Sequence, residues 1–125
     1  MLVYQKALAV ADEVSAILER PDFRKDFKLH EQLSASSSRV PALIAEGYEQ
    51  KTDRHFAHYL YIARGSAKES KTHLIVATGR KYLSNGESTP LRDRYDEIAR
   101  MLSGLIDHLE RENRQHRRPP RETDD

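Results

Sequence analysis

Between residues 56 and 77, Phe56, Leu60, Ala63, Ala67, Ser70, Leu74 and Ala77 follow one another at alternating steps of four and three. That spacing brings them onto one line of an α-helix, the seam along which a bundle helix meets its neighbours. A β-strand, whose side chains alternate with a period of two, cannot use it. The same alternation returns in three other segments. Val3, Ala7, Val10, Val14 and Ile17 form the first stripe, and Leu91, Tyr95, Ile98, Leu102, Leu105 and Leu109 form the last. The second runs through Leu29, Leu33, Ser36 or Ser37, Val40, Ile44 and Gly47.

The breaks between stripes carry ordinary stop and start signals. Pro21 ends the first helix near Arg20, and "RPDFRKD" reads as a connection. The second stripe passes through Pro41 without losing phase, which predicts one helix kinked there rather than two helices. Ser36, Ser37 and Ser38 can bond nearby backbone and make the kink tolerable. Thr52 or Asp53 caps the third helix, and Gly79 and the Asn85-Gly86 turn signal close it. Thr89-Pro90 opens the fourth. No segment alternates like a strand. The expected fold is all-α, an antiparallel up-down-up-down four-helix bundle over residues 1–110, with an arginine-rich disordered tail over 111–125.

A chain of 125 residues without cysteine fits one core with no disulfide, thiolate chemistry or cysteine-held zinc. Nothing in it resembles a membrane span or a signal peptide, and with cysteine absent a cytoplasmic protein is the default expectation. The net charge is only +1, yet residues 51–83 carry seven Lys or Arg against two Asp or Glu. Such a local excess marks either a solvated helix face or a polyanion-binding one.

Along the third helix, Arg54, Arg64, Lys68 and Lys71 share an edge with Tyr61. Cations interleaved with an aromatic suit phosphate contact and base stacking. In the tail Arg111, Arg114, Arg117 and Arg118 could extend that surface, although Glu112, Glu122, Asp124 and Asp125 dilute it. Tyr59, Tyr61, Ile62, Ile75 and Val76 make the third helix apolar beyond its core seam, which a subunit interface would use. Glycine inside a helix costs about 1 kcal/mol relative to alanine. Gly47 and Gly65 are therefore expected where backbones approach closely.

Catalytic and metal chemistry find little support. Glu46 lacks the partners a general acid or base needs, so the expected role is structural, at a helix crossing or between subunits. His55 and His58 stand three apart, but no Glu-x-x-His pair accompanies them, which leaves them as surface histidines. No catalytic residue, metal or cofactor is expected.

Three motifs carry a family resemblance. "VPALIAEGYEQ", "HFAHYLYIARGSAKESKTHLIVA" and "EIARMLSGLIDHL" resemble the second, third and last helices of the bacterial proteins encoded in intervening sequences of 23S rRNA genes. Pro41, Glu46, Gly47 and Gly65 lie within those motifs. The accessory proteins of diversity-generating retroelements belong to the same superfamily. The resemblance spans about residues 2 to 109 and implies a non-enzymatic homopentamer of four-helix subunits. It further implies that RNA, DNA or a protein partner such as a reverse transcriptase is bound. The chain departs from the family where "LSASSS" replaces consecutive arginines, and where Glu49 and Gln50 replace a Gly-Arg pair. Low-specificity RNA binding through the third helix is the leading expectation, and a protein-binding adaptor the alternative.

Overall fold

A computed structural model describes residues 1–117 and contains helices alone among them. The elements are α1 (Leu2–Leu18), α2 (Pro21–Lys25), α3 (Phe27–Tyr48), α4 (Asp53–Gly79) and α5 (Asn85–Arg117). All four predicted stripes face one core: Val10, Val14, Leu33, Val40, Ile44, Leu60, Leu74, Ile98 and Leu102 are fully buried. The chain is a helical bundle in which α1 packs on α3, α3 on α4, α4 on α5 and α5 back on α1.

Side-chain bonds give the register of each pair. Ser36 Oγ meets Ser70 Oγ at 2.8 Å near the middle of α3 and α4, and Gly47 at the end of α3 faces Phe56 and Tyr59 near the start of α4. Tyr61 bonds Glu110, Arg64 bonds Ser103, and Lys71 bonds Asp96, so residue numbers rise on α4 as they fall on α5. Lys6 with Glu97 and Arg20 with Glu87 show the same opposition between α1 and α5.

Three boundaries differ from the sequence reading. The connection "RPDFRKD" contains a short helix, α2, because Pro21 suits its first turn and Phe23 is wholly buried against Tyr82, ring centroids 4.9 Å apart. The last long helix starts at Asn85, five residues before Pro90, so Asn85-Gly86 is helix rather than turn. The reason is a capping box: Ser84 Oγ accepts the Glu87 N–H at 3.1 Å, and the Glu87 carboxylate accepts the Ser84 N–H at 2.9 Å. That helix also continues past residue 110 to Arg117, which makes 111–117 helical instead of a disordered tail. Arg118 and the rest of the expected tail lie outside the described residues.

α3 passes through Pro41 as one helix, as the unbroken stripe required. Ser36, Ser37 and Ser38 each donate to the carbonyl three residues back, at 3.4, 3.2 and 3.1 Å. Their hydroxyls thus bond the backbone in the turns just before the residue that cannot donate.

Candidate polyanion groove between α4 and α5

α4 carries its basic residues on the side turned toward α5, because its buried seam (Ala63, Ala67, Leu74) sets the helix rotation. Thr52 fixes the start of that helix, its hydroxyl accepting the His55 N–H at 3.1 Å. The predicted cations then fare differently. Lys71 lies against both oxygens of Asp96, at 2.8 and 3.0 Å, and is largely neutralised. Arg64 is half-buried, donating to Ser103 Oγ at 2.9 Å, with its guanidinium 4.9 Å from the centroid of the Tyr61 ring. That ring, expected to stack on a base, already holds Arg64 on one face. Its hydroxyl donates to Glu110 at 3.0 Å, and the carboxylate raises its pKa above the ordinary value.

Lys68 is exposed and forms no ion pair among the described residues. The Arg64–Ser103 and Lys71–Asp96 bonds on either side set the α4/α5 register, which brings Lys68 level with Arg100. Arg100 is also exposed without an ion pair among the described residues. Two exposed cations therefore stand at one height on α4 and α5, one turn along from Arg64, which Ser103 holds. Arg100 was not among the residues singled out from the sequence. Its neighbours in sequence, Glu97 and Asp96, mask it, and only the helix pairing sets them to work elsewhere.

Toward the end of the groove, Arg54 lines a cavity of about 310 Å³ with Asp53, His58, Tyr61, Glu110 and Asn113. Arg111 and Arg114 are exposed on the last turns of α5, and Arg117 ends the helix. This end of the α4/α5 edge therefore mixes charges of both signs.

The residues expected at an oligomer interface divide into two sets. Ile62, Ile75 and Tyr61 are between 42% and 47% exposed, whereas Tyr59 and Val76 are half-buried within the chain. Gly47 meets its expectation, since a Cβ there would stand 2.9 Å from the Tyr59 Cβ. Gly65 does not: nothing lies within 4 Å of where its Cβ would be, so no close packing uses it within this chain. Glu46 is exposed, and its carboxylate forms no hydrogen bond among the described residues, so it serves no crossing between the described helices. Among the described residues, no cluster of three His, Asp or Glu could hold a metal, and no helix is long and apolar enough to cross a membrane.

These features define a helical-bundle protein with basic side chains along the α4/α5 edge. The chain belongs to the 23S rRNA-intervening sequence protein family, whose model matches residues 1–104. It is also similar to a solved protein of unknown function from the S23 ribosomal protein family of Bacteroides thetaiotaomicron. That likeness has 22% identity and a TM-score of 0.78, covering 83% of this chain and 97% of the other. At such identity the likeness shows the shared fold. A search of curated proteins finds no match.

Proposed function

We propose that the protein binds the phosphate backbone of nucleic acid, RNA foremost, in the α4/α5 groove. The observation that carries the reading is the placement of Lys68 level with Arg100, with no carboxylate among the described residues pairing either. Two like charges across a groove repel, and a bound phosphate turns that repulsion into attraction. Arg64, held in place by Ser103 and Tyr61, adds a third donor at small entropic cost. Such contacts hold a backbone without reading its bases, so sequence preference is expected to be low.

The test is fluorescence anisotropy of the purified protein with a structured RNA and a duplex DNA across a salt series. Binding that weakens steeply with salt, and drops when Lys68→Ala is combined with Arg100→Ala, supports the groove. No binding at low salt removes the reading. A second reading, docking of a protein partner on α4, is favoured by exposed Ile62 beside the bare backbone at Gly65. It predicts loss of partner capture on Ile62→Glu with RNA affinity unchanged.

A further inference from the structure

An apolar cavity of about 490 Å³ opens between α1 and α3, lined by Met1, Tyr4, Ile44, Ala45, Tyr48 and Glu49. Tyr48 is 66% exposed, yet its ring is held edge-on against Phe56, centroids 6.0 Å apart, so it forms a fixed wall. Leu8, 40% exposed, follows Tyr4 by one turn of α1 and carries the apolar surface along that helix. α3 presents small exposed residues, Ser34, Ser38, Ala42 and Ala45, at steps of four and three. A further helix can approach such a surface closely.

Side-chain cations are turned away from this edge. The only lysine or arginine of α1 is Lys6, which bonds Glu97 of α5. Beyond Lys28 in its first turn, α3 has only Arg39, which donates to Ser66 and Glu69 of α4. Carboxylates are left over instead. Asp12 on α1, Glu31 and Glu46 on α3, and Glu49 just past it are exposed, with no ion pair among the described residues. No basic residue stands in the last turn of α3 to offset its negative carbonyl end. The Met1 ammonium is the one cation among the groups that line the cavity.

We propose that the α1/α3 edge receives a basic amphipathic helix from another protein. The apolar stripe of that helix lies over Tyr4, Leu8 and Ala45, and one of its large side chains fills the cavity against Tyr48. Lysines or arginines on its flanks meet Asp12 on one side and Glu49 on the other. The inference does not rest on the phosphate reading, because the α1/α3 and α4/α5 edges share no helix.

Fluorescence anisotropy of the full chain with a labelled synthetic peptide tests it. The probe is a helix of about 18 residues, five turns, with leucines on one face and lysines on the rest. One control scrambles the same residues, and a second keeps the leucines but replaces every lysine by glutamate. The lysine peptide should bind at least about tenfold more tightly than either control. Leu8→Lys and Glu49→Lys should each weaken it about tenfold, with the circular-dichroism melt unchanged because both side chains are exposed. Should Leu8→Lys disturb the fold, Glu49→Lys alone decides. Lys68→Ala combined with Arg100→Ala should leave peptide binding as it is. Absence of binding overturns the proposal and gives the cavity to another occupant. Equal binding of the scrambled peptide, or binding that survives Glu49→Lys in a folded protein, overturns it as well.

Discussion

Tyr59 lies so close to Gly47 that a methyl group on the glycine would stand 2.9 Å from the tyrosine Cβ and 3.0 Å from the Phe56 ring. This contact closes the end of the α3/α4 pair, and it separates Gly47 from the other helical glycines. Gly47→Ala gains up to about 1 kcal/mol of helix propensity but forces an overpacked contact costing about 1–3 kcal/mol. Urea unfolding should show a net loss of about 1–2 kcal/mol. Gly65→Ala and Gly104→Ala meet nothing within 4 Å and should each gain about 0.5–1 kcal/mol. Stabilisation by Gly47→Ala would refute the close approach.

Glu87 gives the fold an acid-sensitive element. Hydrogen bonds from Arg20 and from the Ser84 N–H hold its carboxyl at about 2, below its usual 4.5. A carboxylate depressed in the folded state stabilises fully above its unfolded pKa, and the effect disappears as pH falls through the folded value. The melting temperature of Glu87→Gln should therefore lie below wild type at pH 6, with the gap shrinking between about pH 4.5 and 2. A gap that stays constant down to pH 2 would count against the cap and its arginine.

Tyr95 behaves in the opposite sense. Its side chain is 1% exposed, its hydroxyl forms no hydrogen bond, and Ser70 nearby already bonds Ser36. Burial pushes the phenol up to about 12, against smaller downward pulls from Ser70 and Arg94. Because the folded pKa is raised, this stability is present below the ordinary value of 10 and fades as pH climbs toward 12. Tyr95→Phe removes an unsatisfied buried group, so at pH 7 it should be neutral or stabilising by about 1 kcal/mol. It should also lose the alkaline decline. A loss of stability at pH 7 would mean that the hydroxyl has a partner.

Within the groove, Lys68 and Lys71 are predicted to contribute unequally. Lys68→Ala should lower the slope of log affinity against log salt by about one, the loss of one phosphate contact. Lys71→Ala should change it less, because Asp96 already occupies that ammonium. Asp96→Asn should free Lys71 and raise RNA affinity. Equal effects of the two lysine variants would contradict the assignment.

The sequence by itself determined the four long helices and their inward faces. Helix periodicity is local: Val3 to Ile17 or Leu60 to Leu74 register burial through spacing alone, whatever they later touch. It even carried the Ser84-x-x-Glu87 cap, although Asn85-Gly86 reads more loudly as a turn and only burial of Leu83, Ser88 and Leu91 around that point favours helix. On α5, Leu105 and Ile106 are adjacent candidates for the core, and packing chose Ile106, 1% exposed, while Leu105 sits at the margin.

What tertiary structure alone decided is which charges are free. Lys71, Lys68 and Arg100 look alike in sequence, yet docking α4 on α5 ties the first to Asp96 and leaves the other two exposed, with no ion pair among the described residues. Glycines follow the same rule, Gly47 pressed by Tyr59 and Gly65 bare. Helical phase depends on neighbours three and four residues away, which a sequence displays. Pairing depends on residues 25 to 91 positions away, and only the packed helices bring those together.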